Sequence, residues 1–261
     1  MSFEIDLSGK VALITGVTSG IGSGAAKAFA RAGAKIAGCG LETKESSEAI
    51  AFLEEMKLAG ADAVYSCTDL TRPDQINALT EEVLACYGRI DILVSNAGAN
   101  VFEGAENCSE ERWMENHQLN LTSHWRLAKA CKPALERQDG TIIIMSSNHA
   151  FSSIPGCFPY NITKTALTGL VRSLAIEWGP AIRTVGLSPG FIDTPGNQTW
   201  FNSFDDPQQE KEKTIGLHPV KRLGTTTEIG GWCVFLASEY AAFASGVTYL
   251  IDGGRSALMQ D

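Results

Sequence analysis

The strongest constraint on this chain is a rhythm. Short, near-continuous apolar runs alternate with longer amphipathic stretches along almost its whole length. Lys10–Thr15 reads as a buried strand leading into a glycine loop. Gly22–Ala32 follows as an Ala-rich helix with Gly33 as its C-cap. The pattern repeats as strand Lys35–Cys39, helix Ser46–Leu58, strand Asp62–Cys67, helix Pro73–Tyr87 with proline in its first turn, and strand Ile90–Ser95. A long helical stretch Glu110–Leu135 precedes the β-branched strand Thr141–Ser146. Helix Tyr160–Trp178, stopped by Gly179-Pro180, then leads to strand Arg183–Leu187, a helix around Glu228–Ala237 and a seventh strand Gly246–Ile251. Strands joined through helices of this length close as parallel, right-handed crossovers, and strands apolar throughout need cover on both faces. The expectation is an α/β fold, one domain over residues 1–261 with a doubly wound parallel sheet of about seven strands and helices on both faces. The segment Thr194–Pro219, polar and aromatic at once, is long for a connector and reads as a lid.

Charge narrows the partners. Lys+Arg is 21 and Asp+Glu is 30, a formal net charge of −9, which argues against a nucleic-acid surface or an anionic-lipid anchor. No apolar run reaches the ~18–20 residues of a membrane span, and MSFEIDLSGK carries no basic-then-apolar leader. Seven cysteines without any C-x-x-C read as reduced thiols, so the expected setting is the cytoplasm. His117 and His124 could share a helix face, but no third ligand accompanies them at metal spacing. They read as structural or interface residues, and no metal is expected.

Thr15-Gly16-Val17-Thr18-Ser19-Gly20-Ile21-Gly22 fills the first strand-to-helix turn. Glycines there allow a tight turn and close approach of backbone to a pyrophosphate, and the helix start offers free N–H groups and a positive dipole end. Tyr160 and Lys164, four apart on a helix, share a face. An ammonium one turn from a phenol is expected to favour the phenolate and lower its pKa, which would suit the pair to proton exchange with an alcohol/ketone couple.

The G-x-x-x-G-x-G spacing after Thr15 resembles that of the short-chain dehydrogenase/reductase family, of its classical type. Further landmarks agree in order and separation. Ser95-Asn96-Ala97-Gly98 resembles the family's N-N-A-G, Tyr160-x-x-x-Lys164 its catalytic pair, Ser188-Pro189-Gly190 its P-G turn and Asp252-Gly253-Gly254 its C-terminal signature. Ser147 and Asn120 stand 13 and 40 residues before Tyr160, the family's spacings.

The resemblance implies hydride transfer with a nicotinamide cofactor. It makes Asn120, Ser147, Tyr160 and Lys164 catalytic: Ser147 bonds the substrate oxygen, Lys164 also meets the nicotinamide ribose, and Asn120 holds a relay water. It implies cofactor contacts at Gly16, Thr18, Ser19, Gly20, Ile21, Gly22, Leu41, Glu42, Asp69, Leu70, Asn96, Ala97, Gly98, Tyr160, Lys164, Pro189, Gly190, Ile192 and Thr194. It also implies a homotetramer built partly from the helices around Asn120 and Tyr160. The departures are Ser95 for the first Asn of N-N-A-G and Arg183-Thr184-Val185 for the common R-V-N, and Pro155 and Cys157 suggest an individual pocket shape.

Cofactor choice turns on the end of the second strand. Gly40 stands where NAD users of the family place Asp, Leu41 where NADP users often place Arg, and Ser19 where NADP users often carry a basic residue. Glu42 would repel a 2′-phosphate and Lys44 would attract one. The balance leans to NAD, with NADP still open. For substrate, Asn100, Ser147, Asn148, His149 and Tyr160 should face the crevice, with Trp200 stacking or sealing and Asn197, Gln198 and His218 as weaker candidates. Family members acting on sugars or 3-hydroxybutyrate often carry a substrate-binding histidine at the His149 position. This polar set favours a small oxygen-rich substrate, a sugar or hydroxy acid, over a steroid or long acyl chain. The alternatives are an NADPH-dependent 3-oxoacyl-(carrier protein) reductase, for which Asp205, Asp206 and Glu210 offer no basic docking patch, and a nucleotide-sensing protein without catalysis.

Overall fold

Aliphatic residues that alternate between two faces need two separate cores, and the sheet supplies them. In the computed structural model, which describes residues 4–258, the first half runs β1 (Val11–Thr15), α1 (Gly20–Arg31), β2 (Lys35–Gly40), α2 (Ser47–Leu58), β3 (Ala63–Cys67), α3 (Pro73–Tyr87) and β4 (Ile92–Ser95). The second half runs α4 (Glu110–His117), α5 (Ser123–Glu136), β5 (Thr141–Met145), α6 (Tyr160–Trp178) and β6 (Arg183–Pro189). It ends with β7 (Ile192–Asp193), α7 (Pro195–Phe201), α8 (Pro207–Gly216), β8 (Gly224–Thr225), α9 (Thr226–Ala237) and β9 (Thr248–Ile251). Seven strands form one parallel sheet in the order β3-β2-β1-β4-β5-β6-β9, and β7 and β8 make a separate short pair. No helix among the described residues is long and apolar enough to cross a membrane.

Side-chain alternation assigns the faces. Ile143 and Met145 of β5 join Phe29 of α1, Phe52 of α2 and Cys233 of α9 in one core. Ile142 and Ile144 join Leu79 of α3, Leu127 of α5 and Leu167 of α6 in the other. Each such buried aliphatic side chain contributes about 1.5–3 kcal/mol. The α1–α9 crossing is close because two glycines meet there: a Cβ on Gly24 would stand 2.6 Å from Thr226 Cβ, and one on Gly230 would stand 2.5 Å from the Gly24 carbonyl. At the amino edge of the sheet, buried Asp91 accepts hydrogen bonds from Val11 N–H at 2.9 Å and Arg89 Nε at 2.8 Å and lies 3.4 Å from Lys10 Nζ. That cluster fastens β1 to the start of β4, at the edge opposite the site. Strand order reverses between β1 and β4, which opens a crevice at the carboxyl edge where such sheets bind ligands.

The expected elements are all present, with three corrections. Helix α1 begins at Gly20 rather than Gly22, because the chain turns helical directly after Gly20 at φ +57°. The expected continuous helix over 110–135 is α4 and α5 joined by a wide π-helical turn at Gln118–Thr122. That turn contains Asn120, whose side chain is fastened to the Ala99 backbone of a neighbouring loop. The segment 194–219 contains two helices, each with proline in its first turn and an N-cap, Thr194 accepting from Asn197 N–H and Asp206 from Gln209 N–H.

Candidate active site

The glycine loop leaves β1 and turns back on itself. Gly16 and Gly20 hold positive φ, and a Cβ on Gly22 would stand 2.0 Å from the Gly16 carbonyl, so position 22 admits no side chain. Ser19 stands at the N-cap of α1 without a side-chain cap bond, and the first turn carries no acid. The first N–H groups of α1 are therefore not taken up by a side-chain cap. Thr15 Oγ1 accepts from the N–H groups of Asn96 and Ala97, both at 2.9 Å, while Asn96 Nδ2 donates to the Thr15 carbonyl at 2.9 Å. These bonds hold the two crevice loops at a fixed spacing. Thr18 lies near Gly40, Thr194 lies against Gly20, and Pro189-Gly190 closes β6 beside Asp252. The side chains of Leu70 and Ile192 are buried in the two cores.

At the end of β2, Leu41 is 68% exposed and the Glu42 carboxylate occupies the space beside Gly40: a Cβ there would stand 2.6 Å from Glu42 Oε2. Tyr65 Oη donates to the Glu42 carbonyl at 2.8 Å. Lys44 is paired with Glu82 at 2.8 Å, so its charge is already answered. Asp69 Oδ1 caps its own turn, accepting from Thr71 N–H and Oγ1 at 2.8 and 2.7 Å.

Four sequence-predicted residues meet between β4, β5 and α6. A Cβ on Gly98 would stand 2.6 Å from Asn120 Oδ1 and 3.6 Å from Lys164 Nζ, so the glycine leaves room for both. Asn120 is fully buried, bonded to both backbone groups of Ala99 and to Asn116 Oδ1, whose amide in turn donates to the Pro159 carbonyl at 3.1 Å. Lys164 Nζ donates to the Met145 carbonyl at 3.1 Å and lies 5.5 Å from the Tyr160 ring centroid. Burial lowers its pKa to about 8. Burial also pushes the Tyr160 phenol up to about 12, while a hydrogen bond with Ser147 acts the other way. The direction for the phenol is opposite to the sequence expectation, because desolvation disfavours the phenolate, while an amine near 8 still carries most of its charge at neutral pH.

Beyond the phenol, Phe102, His149 and Tyr160 stand edge to face, with centroids 5.3–6.1 Å apart. His149 N–H donates to Ser147 Oγ at 3.2 Å, and Ser147 Oγ lies 3.4 Å from Asn148 Oδ1. Asn100 is exposed and lines a cavity of about 520 Å³ with α4 residues such as Arg112 and Glu115. Trp200 packs on Phe191, Phe201 and Phe204. Three weaker candidates have structural partners: Asn197 Nδ2 donates to the Ile192 carbonyl at 2.7 Å, Gln198 to Asp193, and buried His218 is bonded to the Thr214 carbonyl. Among the described residues, no group of three His, Cys, Asp or Glu side chains could hold a metal ion.

A family model described as enoyl-(acyl carrier protein) reductase matches residues 16–256. Human dehydrogenase/reductase SDR family member 4 is 34% identical over 252 residues, 95% of this chain and 88% of that protein. This chain is a short-chain dehydrogenase/reductase. Glucose 1-dehydrogenase of Gluconobacter oxydans is 32% identical to this dehydrogenase/reductase over 254 residues, covering 95% of this chain and 92% of that one. The ligand-free aldohexose dehydrogenase of Thermoplasma acidophilum superposes with a TM-score of 0.86 at 27% identity, over 98% of this chain and 96% of the other. The chain is thus an oxidoreductase acting on CH–OH donors.

Two features of this short-chain dehydrogenase/reductase escaped the sequence. Ser95, the departure from N-N-A-G, is bonded at 2.7 Å to Nδ1 of buried His124, so the smaller residue is matched by a histidine 29 positions on. Burial first, and then the charge of Lys164, lower the pKa of that imidazole to about 3. Arg255, which no motif marked, acts electrostatically on His149.

Proposed function

We propose that this enzyme transfers a hydride between NAD and a secondary alcohol or hemiacetal, or the corresponding ketone, of a small polar substrate, a sugar or hydroxy acid. The observation that carries the reading is the meeting of Asn120, Ser147, Tyr160 and Lys164 beside a loop whose glycines leave room for a pyrophosphate. When bound, the nicotinamide supplies or accepts the hydride. Ser147 holds the substrate oxygen, and the Tyr160 phenol, protonated at rest, gives that oxygen a proton during carbonyl reduction and takes it back during oxidation. The Lys164 ammonium makes one protein hydrogen bond among the described residues and has N–H groups left for a ribose. Asn120, held rigid by Ala99 and Asn116, positions a water at the end of the relay.

The NAD preference is supported by Glu42, whose carboxylate stands beside Gly40 where it would accept from a ribose hydroxyl and repel a 2′-phosphate. Lys44, the basic residue that pointed towards NADP, is neutralised by Glu82. Two relatives named for glucose or aldohexose oxidation favour a polar substrate. The acyl-carrier wording of the family description favours the second reading, an NADPH-dependent 3-oxoacyl-(carrier protein) reductase. A homotetramer through α5 and α6 is the proposed assembly, and Trp125, Ile162 and Ile176 on those helices are exposed.

The test is reduced-nicotinamide absorbance with NAD and with NADP, over sugars, hydroxy acids and a carrier-bound 3-oxoacyl substrate. Turnover of a polar alcohol with NAD supports the first reading. Turnover confined to the acyl substrate with NADPH replaces it with the second.

A further inference from the structure

The segment that carries Glu42 is fastened to the neighbouring strand bond by bond. Three successive carbonyls, at the end of β2 and just beyond it, accept hydrogen bonds from β3 and the residue after it. Gly40 accepts from Thr68 N–H at 2.7 Å, Leu41 from Cys67 Sγ at 3.3 Å and Glu42 from Tyr65 Oη at 2.8 Å. The Tyr65 hydroxyl also lies 3.5 Å from Glu42 Oε2. Its ring is buried against Phe52 of α2, with centroids 6.0 Å apart, so the hydroxyl is presented from a fixed position in the core.

Gly40 makes this arrangement possible. A Cβ there would stand 2.6 Å from Glu42 Oε2, 2.8 Å from Tyr65 Oη and 3.1 Å from Thr18 Cγ2. The carboxylate, the phenol and Thr18 of the glycine loop therefore surround one point that a side chain at position 40 would fill. An Asp at position 40 would meet both oxygens, so the acid beside the glycine loop comes from residue 42 instead. Burial first, and then the charge of Glu42, hold the Tyr65 phenol above its ordinary pKa, so it stays a donor. The Glu42 carboxylate has no ion-pair partner among the described residues, which leaves it open to a ligand hydroxyl.

We propose that Tyr65 is a positioning residue for cofactor choice: by fixing the backbone of Glu42 and flanking its carboxylate, it holds that carboxylate towards the adenosine ribose and sharpens the preference for NAD over NADP. The inference rests on the reading of Glu42 as the acid that meets the ribose, and it adds that this acid discriminates only while it is held. A carboxylate on a loose segment swings away from a 2′-phosphate, whereas a pinned one leaves the phosphate to meet the full like-charge repulsion.

The test measures dissociation constants for NAD and for NADP by fluorescence titration of the wild-type enzyme, Tyr65→Phe, Glu42→Gln and the double variant. Tyr65→Phe removes one oxygen and keeps the ring on Phe52. It is expected to narrow the preference for NAD over NADP about threefold or more, and Glu42→Gln about tenfold or more. In the double variant Tyr65→Phe should add nothing to Glu42→Gln, because its effect runs through that carboxylate. Gly40→Ala, which brings a methyl group against both oxygens, should narrow the preference as well. A hydroxyl with a merely structural role would weaken both dinucleotides equally, so an unmoved ratio in Tyr65→Phe, or a full additional effect in the double variant, overturns the proposal. If Glu42→Gln still narrows the ratio in that case, the ribose reading stands without Tyr65. A ratio unmoved by Glu42→Gln, or a wild-type preference for NADP, overturns the proposal together with the reading on which it rests.

Discussion

The two halves of the sheet's carboxyl edge are built on opposite plans. Around β1, β2 and β4 the polar side chains are committed to one another: Thr15 to Asn96 and Ala97, Asp69 to Thr71, Lys44 to Glu82. Room for a ligand comes from missing side chains at Gly16, Gly22 and Gly98. Around β5, β6 and β9 polar groups are left without protein partners among the described residues, including His149 Nδ1, Ser188 Oγ and Ser256 Oγ. Leaving such an atom unsatisfied costs about 1–3 kcal/mol, a cost a ligand can offset. A ligand part that never varies can be met by fixed backbone. A part that differs from enzyme to enzyme must be met by side chains held in reserve.

The largest effect that would sharpen this contrast lies at Tyr160. Tyr160→Phe should lower turnover by about 10²–10⁴ while NAD affinity, read by fluorescence titration, stays nearly constant. Unimpaired turnover would remove the phenol from the chemistry. In the other half, Gly22→Ala drives a methyl group into the Gly16 carbonyl. It should cost about 1–3 kcal/mol in urea denaturation and weaken NAD binding as well. Wild-type stability and affinity would show that the loop is slack rather than fixed.

Lys164 gives a pH test with a definite sign. Burial lowers its pKa from 10.5 to about 8 in the folded protein. The unfolded chain therefore binds more protons between about pH 8 and 10.5, and the contribution of this group to stability rises with pH across that window. Lys164→Met should remove the rise from denaturation midpoints measured without dinucleotide, and a profile of unchanged slope would argue against a desolvated amine. The smallest effect is expected at Ser188, whose buried hydroxyl lacks a partner among the described residues. Ser188→Ala should change the denaturation midpoint little or raise it slightly, because it deletes an unsatisfied group. A clear loss of stability would mean that the hydroxyl is satisfied after all, and the two halves would then differ less than they do here.

Much of the molecule was legible one element at a time. Helices Pro73–Tyr87 and Tyr160–Trp178 form with the bounds their local signals gave, a leading proline for one and a following Gly-Pro for the other. The Thr15–Gly22 loop was readable because a steric demand for glycine is written in the residue itself. Asn120 was found by its spacing from Tyr160, yet the wide turn that holds it was not, since a pattern of apolar residues does not register one extra residue in a turn. Arg255 gave no signal, because an arginine after two glycines reads as any surface residue until the strand beside it is known.

The sequence by itself determined the layered sheet and the dinucleotide half of the crevice, because periodicity, capping and glycine sterics act between near neighbours. Only the tertiary structure decided the desolvation of Tyr160 and Lys164, the cancelling of Lys44 by Glu82 and the effect of the Arg255 charge on His149. The physical reason is that charge and desolvation act through space, between groups that the fold brings together from distant parts of the chain.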